Sequence, residues 1–349
     1  MSKKKQLTYF STFSGIGGFE LGIQQAYESN NEHAHLSEES EQEERSSGRQ
    51  RSTNQHGTLL LSGDGTAPLC VGYSEIDKYA VQIYQKHFNH KNYGDITTIN
   101  EKELPDFDLF VGGFPCQSFS IAGKRGGFED TRGTLFFEIA RIIGEKQPRL
   151  LLLENVKGLL SHDKGATFYR IISTLDELGY DCQWQVLNSK NHGVPQNRER
   201  VFIIGHLRGT SRPEVFPFGV QTETVDGALF IDESQWRREG KLREYKGTSP
   251  TLNTNGGGGH LPLTAVSNVS KREFKWQEER SPALCARDYK DPKIVSNGLS
   301  IRRLTPTECE RLQGFPDGWT EGLSDTQRYK TLGNAVTVNV IRDIMHALI

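Results

Sequence analysis

Leu7-Thr8-Tyr9-Phe10-Ser11-Thr12-Phe13 runs directly into Ser14-Gly15-Ile16-Gly17-Gly18 and then into Phe19-Glu20-Leu21-Gly22-Ile23-Gln24-Gln25-Ala26. The first stretch is rich in β-branched and aromatic residues, which suit a pleated strand. The second is a glycine turn, and the third has helical texture. Strand, glycine-rich turn and helix in that order open an α/β sheet, with a ligand crevice at the carboxyl end of the strand. A glycine turn alone is weak support, because many tight turns use glycine for its left-handed backbone and bind nothing.

The chain beyond the turn repeats the pattern. Leu69-Cys70-Val71-Gly72-Tyr73-Ser74-Glu75 reads as a strand tipped by a carboxylate, followed by a helix from Lys78 to Phe88. Phe107-Asp108-Leu109-Phe110-Val111 and Leu150-Leu151-Leu152-Leu153 read as buried strands, with a helix around Leu135–Gly144 between them. A helix around Phe168–Leu178 and strands at 182–187 and 201–205 complete the series. Strands alternating with helices predict α/β architecture with a mostly parallel sheet. Residues 29–68 interrupt it: they are Ser/Glu/Gln-rich and cannot bury enough apolar surface to fold alone, so they are expected to form a mostly disordered surface insertion. After about residue 210 helical periodicity fades and short β-like pieces with Gly/Asn/Pro turns take over. The expected organisation is a catalytic and cofactor-binding domain over 1–210, a smaller β-rich domain over 211–324, and a C-terminal segment, 325–349, returning to the first domain.

Composition bounds the setting. The chain has 349 residues with 35% apolar and 25% charged side chains, a soluble globular profile. No stretch approaches the ~18–20 apolar residues of a membrane span, and the basic Met1–Gln6 start is not followed by a signal-peptide core. The five cysteines, Cys70, Cys116, Cys182, Cys285 and Cys309, are widely spaced without a CxxC pair. Neither a disulfide framework nor a metal site is expected, which points to a reducing, cytoplasmic compartment. Net charge is −2, but residues 237–303 carry fourteen Lys/Arg against seven Asp/Glu, which suits a polyanionic partner.

The chemistry concentrates at predicted strand ends. Glu75 ends the second strand, where an acid can hold ribose hydroxyls. It stands far beyond the ~20-residue spacing of the usual dinucleotide fingerprint, and removing the 29–68 insertion restores about that spacing. Asp95 ends the next loop and could meet an adenine amino group. The turn lacks the full G-x-G-x-x-G and the lysine of a P-loop, so a nucleoside without a pyrophosphate fits better. Phe13 and Phe114 are expected to flank the crevice, where aromatic faces favour a cation such as a sulfonium. Cys116 follows Pro115 at the end of the 107–111 strand, and Glu154 ends the next one. A thiolate can add to C6 of a pyrimidine, making C5 nucleophilic towards an electrophilic methyl; Glu154 is the candidate proton donor at N3. Arg198 and Arg200, at i and i+2 before the 201–205 strand, are expected to share one face of an extended segment.

These residues resemble those of the S-adenosylmethionine-dependent DNA (cytosine-5)-methyltransferases of bacterial and phage type. The resemblance covers Phe13–Glu20, Ser74–Ala80, Gly94-Asp95-Ile96, Gly113–Ser120, Asp130–Leu135, Glu154-Asn155-Val156, Gln196–Arg200, Arg303–Cys309, Gln313–Pro316 and Gly333-Asn334-Ala335-Val336, in the family's order. It implies an α/β, Rossmann-like class I methyltransferase sheet with a smaller, β-rich target-recognition domain at 211–324. It implies Cys116 as nucleophile, Glu154 on cytosine N3 and its amine, and Arg198 and Arg200 positioning thiol, base and phosphate. Phe13, Gly15, Gly17, Glu75, Ile76, Asp95, Phe114, Asn334 and Val336 would line the pocket for S-adenosyl-L-methionine. It further implies a flipped target base, a closing loop at 117–130, a duplex-DNA partner with a short specific sequence, a monomer, and functional pairing with a restriction endonuclease. Loops 249–262 and 281–295 are the expected base readers.

Ser11 stands where the family often has Asp, Ile76 where Trp is common, and the 29–68 insertion has no counterpart in the core pattern. The rival readings are a tRNA cytosine-5 methyltransferase, an inactive DNA-binding or regulatory homologue, and a dinucleotide oxidoreductase, the last disfavoured by the missing third glycine.

Overall fold

The computed structural model describes residues 6–29, 67–115, 135–211, 213–218, 281–282, 284, 286, 294–296 and 301–348. Cys116, the 117–130 loop, nearly all of the 29–68 insertion, and loop 249–262 with most of 281–295 lie outside the described residues.

Strands β1 (Thr8–Thr12), β2 (Leu69–Ser74), β3 (Leu109–Gly113), β4 (Leu150–Val156), β5 (Tyr180–Asn188) and β7 (Glu199–Leu207) form one six-stranded sheet, in the order β2-β1-β3-β4-β7-β5. A short strand β6 (Gln196–Asn197) precedes β7. Strands β1 to β4 pair in parallel, whereas β7 runs antiparallel to both neighbours. The reason lies in the connection: residues 189–198 hold only a 3-10 turn and β6 between β5 and β7, and a parallel return needs a crossover of a dozen or more residues. From β1 the chain goes to one neighbour, β2, and then to the other, β3. The reversal opens a crevice beyond the carboxyl ends of β1 and β3.

Both faces of the sheet are buried, which explains the continuous apolar runs. Along β4, Leu150 and Leu152 enter one core and Leu151 and Leu153 the other, as the period-2 geometry of a strand requires. The first core is covered by helices α1 (18–29) and α7 (Val338–Leu348), the second by α3 (Leu135–Lys146) and α4 (Ala166–Glu177). A Cβ at Gly22 of α1 would lie 2.6 Å from Cβ of Ile341, so this glycine permits the close approach of α7.

A third apolar cluster joins Ile16 of the glycine turn, α2 (Lys78–His87), α5 (Pro306–Leu312), α6 (Asp325–Asn334) and Leu284. Residues of 304–324 pack in this cluster beside the glycine turn: Trp319 is buried and its indole N–H donates to the carbonyl of Ile16 at 2.9 Å. Strand β8 (Ser281–Pro282) pairs in parallel with β6, and β9 (Ile294–Ser296) pairs antiparallel with β10 (Ile301–Arg303).

Candidate active site

The turn after β1 is shaped by three left-handed residues, Phe13 (φ +52°), Gly15 (φ +56°) and Gly17 (φ +89°). The glycines differ in what they permit. A Cβ at Gly17 would meet the Phe88 ring at 2.4 Å, so Gly17 serves packing. A Cβ at Gly15 would meet nothing within 4 Å among the described residues, so these leave open space over this backbone. Glu75, just past β2, reaches across: its Oε2 accepts the Gly15 N–H at 2.8 Å, and its Oε1 accepts the N–H groups of Ile76 (2.9 Å) and Asp77 (2.8 Å). Each carboxylate oxygen retains lone-pair capacity for a further donor.

The other pocket candidates take the following places. Ile76 is 73% exposed, an apolar side chain left in solvent beside Glu75. Asp95 is exposed and caps the 3-10 turn Ile96–Thr98 through Thr97 N–H at 2.9 Å. Val336 is buried against the turn, where a Cβ at Gly18 would stand 2.8 Å from its Cγ1; Asn334 ends α6 and is exposed. Phe13 is half-buried on the core that also holds Phe114, and Phe114 is buried against Phe136 at a 5.5 Å ring separation.

At the other side of the crevice, Glu154 Oε1 accepts from Arg200 Nε at 2.9 Å, with both side chains 13% exposed. The antiparallel register sets this up, placing Glu154 and Val156 opposite Phe202 and Arg200. Glu154 is also in register with Gly113 at the end of β3, where a Cβ would stand 3.1 Å from Glu154 Oε2. The carboxylate therefore lies over the strand end from which the chain runs on through Phe114 and Pro115 towards Cys116.

Arg198 and Arg200 are held by different partners. Residue 198 lies between β6 and β7, and its N–H bonds the Gln196 carbonyl at 3.1 Å, so the chain bends there instead of running extended. The guanidinium is buried and donates to the carbonyls of Leu284 (2.8 Å), Ala335 (2.9 Å) and Gly333 (3.3 Å).

Asn155 has a role that sequence reasoning missed. Its side chain is buried, donates to the Phe114 carbonyl at 2.8 Å and accepts from Val156 N–H at 2.8 Å. It pins the backbone that leads into Cys116. A polar residue inside the apolar β4 run was the available signal.

Burial pushes the thiols of Cys70 and Cys182 up to about 12, so both stay protonated and unreactive.

The described sheet and crevice define a class I methyltransferase fold. Solved structures support it: the S. pombe Dnmt2 methyltransferase matches with a TM-score of 0.62 at 16% identity over 99% of this chain and 98% of that one. A putative DNA modification methyltransferase encoded within an E. coli prophage matches with a TM-score of 0.59 at 18% identity over 98% of each chain. The family model of the C-5 cytosine-specific DNA methylases matches residues 57–349. The Type II methyltransferase M1.ScrFI of Lactococcus lactis subsp. cremoris is 43% identical over 284 residues, covering 79% of this chain and 71% of its own. M.HhaI of Haemophilus parahaemolyticus is 37% identical over 303 residues, covering 83% and 90%. The chain belongs to the C-5 cytosine-specific DNA methylase family and is a DNA (cytosine-5)-methyltransferase. Among the described residues no helix is long and apolar enough to cross a membrane.

Proposed function

We propose that this enzyme methylates C5 of one cytosine in a short specific sequence of duplex DNA, as the modification partner of a restriction endonuclease. The observation that carries the chemistry is the Glu154–Arg200 pair lying over the end of β3, directly before the Pro115-Cys116 loop. The residues present fit S-adenosylmethionine: open space over Gly15, a carboxylate strap at Glu75, the exposed Ile76 as an apolar wall and Asp95 at the rim. When bound, that cofactor supplies an electrophilic methyl group on a sulfonium.

The chain's own residues do the rest. The Cys116 thiolate adds to C6 of a cytosine turned out of the stack, because C6 is out of reach inside the duplex. Glu154 holds the proton at N3, so that the electrons displaced from the C5–C6 double bond make C5 a nucleophile. Arg200 fixes the Glu154 carboxylate, and Asn155 fixes the Phe114 carbonyl and hence the approach of the loop. After methyl transfer, loss of the C5 proton expels the Cys116 sulfur and restores the ring. The 211–324 region reads the base edges in the major groove, and the protein acts as a monomer in the cytoplasm.

Incubation with methyl-labelled S-adenosylmethionine and either long duplex DNA or tRNA tests the substrate. Label confined to 5-methylcytosine in DNA is expected; label in tRNA alone would establish the rival reading. Bisulfite sequencing of DNA from expressing cells should show one short motif, and uniform methylation of unrelated cytosines would contradict a sequence-specific reader.

A further inference from the structure

We propose that Gln196 is a positioning residue through which seating of Leu284 tightens the cofactor rim at 333–336; the proposal rests on the methyltransferase reading above. Gln196 is fully buried. Its Oε1 accepts from Leu284 N–H at 2.7 Å, and its Nε2 donates to the Leu312 carbonyl at 2.6 Å and to Gln313 Oε1 at 3.2 Å. Gln313, equally buried, carries the chain onward. Its Nε2 donates to the carbonyls of Leu332 (2.8 Å) and Ala335 (3.3 Å), and its Oε1 accepts from the Thr337 hydroxyl at 2.9 Å.

Arg198 closes the circuit, since it donates to the carbonyls of both Leu284 and Ala335. The N–H and the C=O of Leu284 are therefore both gripped, by Gln196 and Arg198. Each grip reaches the Ala335 carbonyl, between the pocket candidates Asn334 and Val336. Leu284 also packs in the apolar cluster that contains Ile16 of the glycine turn and Ala335. The segment so gripped is where the recognition region rejoins the catalytic body through the β6–β8 pairing.

Physical chemistry makes this knot stiff. Its members are buried, and cutting one hydrogen bond leaves a partner without water to replace it. A displacement of residue 284 cannot be absorbed locally and is carried to residues 333–337. Contiguity alone does not establish coupling; the defining quantity is how far one ligand changes the affinity of the other, which is reciprocal for DNA and cofactor.

The test measures the dissociation constant of S-adenosylhomocysteine for the full chain by calorimetry, with and without saturating long duplex DNA of mixed sequence. For the wild type, DNA is expected to tighten binding by ~5-fold or more, the lower range of ordinary coupling. In Gln196→Met, which fills the site without its amide, this ratio should fall to within ~2-fold of unity. Leu284→Ala keeps both backbone bonds of residue 284 and should retain the wild-type ratio despite a lower Tm. If Gln196→Met does not fold, Thr337→Val, which cuts one bond to Gln313, should lower the ratio instead. A lowered Tm with an unchanged ratio in the Gln196 or Thr337 variant would reduce the knot to a structural element and overturn the proposal, as would a wild type indifferent to DNA. Failure of the wild type to bind S-adenosylhomocysteine at all would instead overturn the cofactor reading of the glycine turn.

Discussion

Glu20 offers a quantitative test of the ground beneath the cofactor turn. It sits in the first turn of α1, is 1% exposed, and its Oε1 accepts from the Tyr84 hydroxyl at 3.1 Å. Burial pushes its carboxyl from 4.5 to about 7, against the opposing pull of hydrogen bonds from Ser11, its own backbone and Tyr84, with a smaller push from the charge of Glu75. At ~1.4 kcal/mol per tenfold in proton affinity, charging Glu20 in the folded state costs ~3 kcal/mol. The folded chain holds this proton more tightly than the unfolded chain does. Its stabilising contribution is thus complete below pH 4.5 and is lost as pH rises through about 7. Tyr9, Cys70 and Tyr84, all pushed upward mainly by burial, stay neutral across this range. His90, 2.9 Å from the Tyr84 oxygen, is pushed downward by burial and contributes the opposite slope in both proteins. Glu20→Gln keeps the shape and an acceptor for Tyr84, so it isolates the charge. Urea unfolding should show the variant more stable than wild type by ~1–3 kcal/mol at pH 8, with the gain shrinking at pH 5. An identical difference at both pH values would refute a buried, proton-holding Glu20.

Other outcomes follow from the site. Asn155→Ala leaves the buried Phe114 carbonyl without its donor, at ~1–3 kcal/mol. It should lower kcat at least ~10-fold while S-adenosylhomocysteine affinity stays within ~3-fold, because the approach of the Cys116 loop is loosened; an unchanged kcat would refute that role. Glu154→Gln should lose ~10²–10⁴ in kcat with DNA binding retained in a gel-shift assay. Gly15→Ala adds a methyl where no described residue stands within 4 Å, so it should cost only ~1–2 kcal/mol of stability yet weaken S-adenosylhomocysteine binding more than ~10-fold by calorimetry, since the space it enters is the ligand's. Gly17→Ala, whose methyl meets the Phe88 ring at 2.4 Å, should lower Tm more than Gly15→Ala does.

Much of this arrangement was legible in the chain. The Leu150–Leu153 run announced a strand buried on both faces, and the glycine turn with Glu75 announced a crevice that the structure closes with a 2.8 Å bond across β1 and β2. Three features were not legible, each for a physical reason. The direction of β7 depends on the absence of a crossover helix in 189–198, which apolar periodicity does not report. The separate partners of Arg198 and Arg200 follow from a bend at 196–198 that local periodicity does not report. The packing of residues 304–324 on the glycine turn depends on long-range contacts such as Trp319 to Ile16, which local composition cannot encode.

The account's central claim is covalent addition of Cys116 to a cytosine in DNA. Long duplex DNA copied with 5-fluorocytosine in place of cytosine tests it directly, because fluorine at C5 cannot leave as a proton does and the adduct persists. With S-adenosylmethionine, the wild type should form a protein–DNA species that survives denaturing electrophoresis, and Cys116→Ala should form none. A wild type that methylates ordinary DNA yet gives no such species, or a Cys116→Ala variant that still does, would contradict the account.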